Sequence, residues 1–326
     1  MNLPYCSRLL CLAFACYFLV HLLAAAFANC LLPAAIRFAS KVKPRDAARM
    51  LFALRLFPFA FSVLLVAGFC VPSYLRLEPE QATEPIGPIC IAAALLGLFT
   101  CGEAVFRGLR ALVESRRYIQ RCTRAGQATR IEGDVEPICV LDEAATPIAI
   151  AGLIHPTLIA SRGVIRMLSA EQLTAALQHE RAHWAAHDNL KRLVIRVAPR
   201  TLPSTHGFRR IERAWSKFTE WAADDRAVAG DPARSVVLAA TLVRVARISS
   251  SRQPVPLVSS LLADGEDLST RVDRLLCVPV QNERPAFAIT VFAVGAAGAS
   301  AAAVSAAIAY PAALRTVHSL LESLIQ

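Results

Sequence analysis

The sequence predicts a mainly α, polytopic membrane protein: four transmembrane helices, with a cytosolic α+β domain inserted between the third and the fourth. Three observations predict it. Of 326 residues, 55% are hydrophobic and the mean hydropathy is +0.46, too apolar for two ordinary soluble domains. Four apolar runs, about 9–31, 56–75, 89–106 and 286–310, each come near the ~20 residues that cross a bilayer. The basic residues crowd into two places, the link after the first run and the stretch after the third. The chain thus divides into a membrane region, 1–106, an inserted domain, 107–285, and a last span with a short tail, 286–326.

The first run has a rival reading, because Ala26-Phe27-Ala28 resembles a signal-peptidase site. Cleavage there would leave the basic link on the outside, against the charge rule. The third run carries Glu103 near its end, and Arg107 one turn on can pair with it. The fourth is rich in Ala, Gly and Ser, and Gly295 and Ala299 allow close helix packing in lipid. Arg37, Lys41, Lys43, Arg45 and Arg49 follow the first run, whereas Glu78, Glu80 and Glu84 outweigh Arg76 after the second. The positive-inside rule then places the inserted domain in the cytosol of a multi-pass cell-membrane protein and both termini outside. The net charge of +10 reflects this bias and contact with anionic lipid. No nucleic-acid motif is evident, so no nucleic-acid partner is expected. The ten Cys form no C-x-x-C pair, sit mostly in or beside apolar runs, and imply no disulfide framework.

Within the inserted domain, 107–125 reads as a basic helix leaving the membrane. Segments 136–143, 147–151 and 157–161 read as short strands broken by Pro147, Gly152 and Pro156. Ser169 and Gln172 form a capping-box pattern, Leu173, Ala176 and Leu177 an apolar stripe, and no breaker follows until Pro199. A later helix ends near Gly230. Asp231 and Pro232 read as cap and first position of a helix over 232–248. A loop over 249–256 and a helix over 267–277 complete the domain. There are no internal repeats.

Residues 179–183 read H-E-R-A-H. On a helix this places two imidazoles on one face, where both can bind one Zn²⁺ while Glu180 faces a metal-bound water. A catalytic zinc needs a third protein ligand. Glu220 is the candidate, and Asp224, one turn on, would accept a hydrogen bond from a ligand His and fix its tautomer. A lone H-E-x-x-H arises by coincidence; the capped helix and the downstream E-x-x-x-D weigh for a zinc site at His179, His183 and Glu220. His187 continues the spacing but reads as a surface or supporting residue. His155 reads as structural, His206 as near a helix start, and His21 as packed between helices. Ser40-Lys41-Val42-Lys43 fits S-x-x-K but lies in a short link.

The stretch L-S-A-E-Q-L-T-A-A-L-Q-H-E-R-A-H-W-A-A-H-D-N-L (168–190), the pair Glu220 and Asp224, and A-G-L-I-H-P-T-L-I-A-S (151–161) together resemble the membrane-embedded zinc metallopeptidases of the beta-lactam sensor–transducer (BlaR/MecR) type. The resemblance covers the architecture of about 1–285 and the motifs of 147–230. It implies a zincin-like metallopeptidase domain with His179, His183 and Glu220 as zinc ligands. Glu180 would be the general base and Asp224 the supporting carboxylate, and Asp188 stands where the family places an Asp. It implies hydrolysis of a cytosolic protein, such as a transcriptional repressor. The sensor members continue into a large external domain, whereas this chain stops at Gln326, so a beta-lactam sensor is not expected. A signal would arrive through a separate sensor partner, the external loop, a second copy of the chain or the membrane. Two alternatives remain: a quality-control zinc protease for membrane proteins, and a non-catalytic membrane receptor or scaffold keeping the fold.

Overall fold

The computed structural model describes residues 4–78, 86–129, 138–142, 148–153, 156–201, 205–247, 258–260, 268–277, 314–317 and 319–321. Three long apolar helices dominate it. The first is α1 (Tyr5–Ala39). The second runs unbroken from α2 (Pro44–Leu65) through a π-helical turn, Val66–Cys70, into α3 (Val71–Leu77), and the third is α4 (Pro88–Ala125). Each has the length and composition to cross a membrane. They hold 35, 34 and 38 residues, or about 50–57 Å of helix at 1.5 Å per residue. A membrane's hydrocarbon layer is about 30 Å thick, so each helix is longer than such a layer by about 20 Å or more.

The three expected spans fall inside these helices. The link expected over 37–49 shrinks to a turn at Ser40–Lys43, where Ser40 Oγ donates to Arg37 O at 2.8 Å. The basic helix of 107–125 is the second half of α4 rather than a separate element. Glu103 and Arg107 do pair, at 2.7 Å. Close approach between α1 and α4 depends on Gly97, where a Cβ would run into the Phe14 carbonyl. The fourth apolar run, 286–310, lies outside the described residues, as do His155 and the loop of 249–256.

The remaining elements pack on the ends of these helices, the sheet against the C-terminal part of α4 and a later helix against α1 and α2. A five-stranded sheet has the order β1-β2-β4-β3-β5, with β1 Gln127–Thr129, β2 Ile138–Leu141, β3 Ala149–Ala151, β4 Thr157–Ser161 and β5 Val258–Ser260. Only β2 and β4 are parallel, with Val140 opposite Ala160. One sheet face packs Cys139, Leu141, Ala151 and Ile159 against Tyr118, Ile119 and Cys122 of α4. The other packs Ile138, Val140 and Ala160 against Ala176, Leu238, Leu242 and Leu275. These come from α6 (Ala170–Ala185), α9 (Pro232–Ala246) and α10 (Leu268–Leu276). A short helix, α5 (Arg162–Met167), is capped by Ser161.

The helix expected to run unbroken to Pro199 divides in two. α6 ends at Ala185 and α7 (Asp188–Val197) begins after His187, which takes a left-handed conformation at φ 54°. That turn brings Asp188 back onto His183 (2.8 Å), a contact a straight helix would not allow. α8 (Thr205–Val228) lays Phe208, Ile211, Trp215 and Phe218 against α1 and α2. Its start is so close to α1 that a Cβ on Gly207 would overlap the Asn29 amide. His21 is fully buried between Tyr17 and Phe208, as expected for a helix-packing residue.

Candidate metal centre

The two-helix frame of the site is fixed locally by the sequence. The capping box is complete: Ser169 Oγ accepts from Gln172 N, and Gln172 Oε1 accepts from Ser169 N, both at 3.2 Å. This starts α6 in register, so that His179, Glu180 and His183 all face the interior, each at most 2% exposed. On α8, Glu220 and Asp224 share the face that meets α6 and are 3% and 1% exposed. Its C-terminal end is set by Ala229 and Gly230 at positive φ and by Asp231, whose side chain accepts from Ala233 N at 2.8 Å.

The structure brings His179, His183 and Glu220 together. His179 Nε2 lies 3.1 Å from His183 Nε2 and 3.4 Å from Glu220 Oε2, and His183 Nε2 lies 3.5 Å from Glu220 Oε1. Ligands bound at zinc distances in a tetrahedron stand about 3.3 Å apart. Taking one ligand atom from each residue, the set lies within 4.8 Å, so a small tetrahedral ion would draw the Glu220 carboxylate slightly inward. Both oxygens of Glu220 are buried and, among the described residues, accept no hydrogen bond. The imidazoles and the Arg271 guanidinium stand 3.3–3.5 Å off, so the carboxylate is charge-compensated yet keeps its lone pairs for a metal. The same spacing suits other transition metals with the same ligand preferences.

Each imidazole is aimed from behind. His179 Nδ1 lies 2.9 Å from Asp224 Oδ1, and His183 Nδ1 lies 2.8 Å from Asp188 Oδ2. At His183 this is a hydrogen bond, and an Nδ1–H donated to a carboxylate leaves Nε2 bare for a metal; at His179 it is an ion-pair contact. Asp188 is steadied in turn by Lys191 Nζ at 2.9 Å. The spacing that singled out Asp224 as a supporting carboxylate thus has a counterpart at the second His.

Two arginines were not legible as site residues. Arg271 on α10 donates from Nε and Nη2 to the two oxygens of Asp224, at 2.9 and 2.7 Å, and its Nη1 lies 3.3 Å from Glu220 Oε2. Arg192 on α7 reaches to 3.6 Å of Glu220 Oε1. The signal for Arg271 was its position in L-S-T-R-V-D-R-L-L, on the apolar stripe of Leu268, Val272 and Leu275. A charged residue there must find a buried partner.

The electrostatics follow from this packing. Burial pushes the Glu180 carboxyl above its usual range. Burial opposes charge on His183 too, but the charge of Glu220 and the Asp188 hydrogen bond win, lifting it to about 10. His179 is also raised, by Asp224 and Glu220 against the same burial. Despite burial, Glu220 is held well below its ordinary value by His183 and His179, and Asp224 is lowered by Arg271 and His179. The carboxylates thus favour positive charge on the imidazoles, and the imidazoles and Arg271 favour negative charge on the carboxylates.

Glu180 completes the geometry. Its carboxylate is fully buried, and among the described residues neither oxygen has a hydrogen-bond partner. It is one residue from a candidate metal-ligand position. His187 is exposed and turned away from the site, and His206 is exposed at the start of α8. A depression of about 300 Å³ beside Gln178, Arg181, Arg226 and Arg234 is lined by none of His179, Glu180, His183 and Glu220. Comparison with protein-family models, with curated proteins and with solved structures finds no match for this chain.

Proposed function

We propose that this chain is a membrane-tethered zinc metalloendopeptidase that cleaves a cytosolic protein, such as a transcriptional repressor, in regulated signalling. One observation carries the reading. Two imidazole nitrogens and the Glu220 carboxylate offer one ligand atom each within 4.8 Å of one another, and beside them a buried carboxylate, Glu180, lacks a hydrogen-bond partner among the described residues. Zinc bound there would polarise a peptide carbonyl and acidify a bound water. Glu180 would take a proton from water and deliver it to the departing amine, a role suited to a carboxyl whose pKa burial has raised. Asp224 and Asp188 would hold the imidazoles in one tautomer throughout.

The scaffold alternative fits poorly with Glu180. A buried carboxylate without partners lowers stability, and a protein that only binds gains nothing from it. Burial also favours regulated cleavage over general quality control. With His179, Glu180, His183 and Glu220 all at most 3% exposed, a substrate can reach the site only when a covering element moves.

A fourth span is part of the proposal. Leu276 ends α10 beside the metal centre, whereas Leu314 O accepts from Ser73 Oγ at 3.0 Å and Leu321 packs with Leu12 and Tyr74 at the opposite ends of the spans. A crossing between them would carry the apolar run of 286–310. The basic second half of α4 supports placing the metal centre in the cytosol.

The experiment compares new protein N-termini in cells expressing wild type or Glu180→Gln. Fragments of one regulator that appear only with wild type support signalling. Many membrane-protein fragments would point to quality control instead. Identical sets of termini would sink the peptidase reading.

A further inference from the structure

A second polar centre lies apart from the metal ligands, where the spans leave the bilayer. Arg55 on α2 and Arg107 on α4 each stand about 20 residues, or about 30 Å, from the far ends of their helices at Leu77 and Pro88. That is the thickness of the hydrocarbon layer, so both sit at headgroup depth on the side of the metal centre. Both guanidiniums converge on one backbone atom. Arg55 Nη2 donates to Ala198 O at 3.0 Å, and Arg107 Nη2 does so at 3.5 Å. Ala198 opens the segment that joins α7 to α8, which also carries Arg200 and Thr201.

The charges there do not balance. Glu212 of α8 spends one oxygen on Arg55 Nε (2.9 Å) and the other on Arg200 Nη2 (2.5 Å). Glu103 is spent on Arg107, and Glu114 is engaged by Arg110 at 2.7 Å. Arg196, exposed on α7 and within electrostatic reach of Arg200, Glu212 and Glu114, has no ion pair among the described residues. Among the described residues, Arg55, Arg107, Arg196 and Arg200 thus have Glu212 and Glu103 close by, and Glu114 only at the side of Arg196. Buried donors are also left over: among the described residues Arg107 Nη1, Arg200 Nε and Thr201 Oγ1 have no hydrogen-bond partner, and Thr201 is fully buried. The Arg107 and Arg200 side chains remain 18% and 27% exposed, so a ligand can reach them.

We propose that this cluster binds one phosphate-type anion, held by Arg107, Arg200 and Thr201 with Arg196 at its rim. Guanidinium forks match phosphate oxygens in pairs. Headgroup depth makes an anionic phospholipid one source, and inorganic phosphate is the other. Because α7 and α8 carry Asp188 and Glu220, the anion would also fix the frame on which the metal centre is built. The proposal does not depend on the peptidase reading.

The test uses the full chain in neutral detergent. Native mass spectrometry counts bound phosphatidylglycerol against phosphatidylcholine, and thermal unfolding is followed with and without inorganic phosphate. Wild type is expected to retain one phosphatidylglycerol in preference to phosphatidylcholine. Arg107→Gln and Arg196→Gln are each expected to weaken that binding about tenfold, the scale of one charge-assisted hydrogen bond. Arg234→Gln, which pairs with Asp231 on α9 away from the cluster, should leave it unchanged. Stabilisation by phosphate without lipid selectivity, lost in the same variants, assigns the site to the free ion. If Arg107→Gln does not fold, Arg196→Gln and Thr201→Val decide. Unchanged binding of both probes in those two variants, or no binding of either probe to wild type, overturns the proposal.

Discussion

Arg271 and Asp224, 47 residues apart in the chain, are joined by two parallel hydrogen bonds of 2.9 and 2.7 Å in the buried interior. Asp224 in turn faces His179 Nδ1 at 2.9 Å, so α10 reaches the metal centre through a guanidinium, a carboxylate and an imidazole in series. The same guanidinium lies 3.3 Å from Glu220, and in the metal-free protein it supplies positive charge that a metal would otherwise bring.

Removing that guanidinium therefore exposes the metal-free form most. Arg271→Met leaves Asp224 and Glu220 buried with less positive charge, and losing one partner of a buried pair costs about 3–5 kcal/mol. The variant should unfold at markedly lower denaturant in chelator, and added Zn²⁺ should restore more of its stability than of wild type's. Arg271→Lys, which keeps the charge but not the fork, should fall between. Equal losses with and without metal would show that Arg271 acts by packing alone.

Glu180 makes the opposite prediction for stability. Its carboxylate is buried without a hydrogen-bond partner, so Glu180→Gln removes a buried charge and keeps the shape. Unfolding free energy should stay level or rise, and metal content should stay at wild-type level. Peptide cleavage should fall by about 10²–10⁴-fold, the usual contribution of a general base. A parallel loss of metal would mean that Glu180 is a ligand and not the base.

Much of this site could be read from local patterns, because local rules govern it. A capping box fixes the phase of α6, and i, i+4 spacing then places His179 with His183 and Glu220 with Asp224 on shared faces. The three spans were legible because a run of apolar residues has few alternatives to lying in lipid. What could not be read depends on contacts distant in sequence. Nothing local shows that α8 lies against α1 and α2, that α4 continues from the bilayer to the back of the sheet, or that Arg271 meets Asp224. The break at His187 was hidden for another reason. A His in the left-handed region is uncommon, and here the contact of Asp188 with His183 and Lys191 offsets its cost.

Proton competition should be visible in metal binding. His183 is held at about 10 in the metal-free protein, so at neutral pH it carries a proton that a metal must displace. Calorimetry in buffers of different ionisation enthalpy should report proton release on Zn²⁺ binding at pH 7, and affinity should rise with pH towards about 10. The metal-free fold has its own window. A raised His183 contributes stability that is fully present below 6.5 and is lost as pH rises through about 10. A depressed Glu220 contributes stability present above 4.5 and lost as pH falls well below it. Metal-free stability should therefore be greatest between these limits, and it should decline on the alkaline side in a way the zinc-bound protein does not. Binding without proton release at pH 7 would contradict the pairing of His183 with Glu220 and Asp188.

Asp188 and Asp224 do the same work for the two imidazoles, yet they should not respond alike to substitution. Asp188 bonds His183 at 2.8 Å and the partly exposed Lys191 at 2.9 Å. In Asp188→Asn the lysine can turn to water, so the expected loss is one of ring orientation: about 10–100-fold in metal affinity, with stability changed by less than about 1 kcal/mol. Asp224 stands 2.9 Å from His179 Nδ1 and accepts hydrogen bonds from two donors of an Arg271 that is 4% exposed. Asp224→Asn should lower metal affinity by a similar factor and also lower metal-free stability by about 3 kcal/mol or more, because Arg271 is left buried without its carboxylate. Measuring metal affinity and denaturant midpoint for both variants separates the two cases. Equal stability losses would mean that the Arg271–Asp224 pair contributes nothing beyond orienting His179.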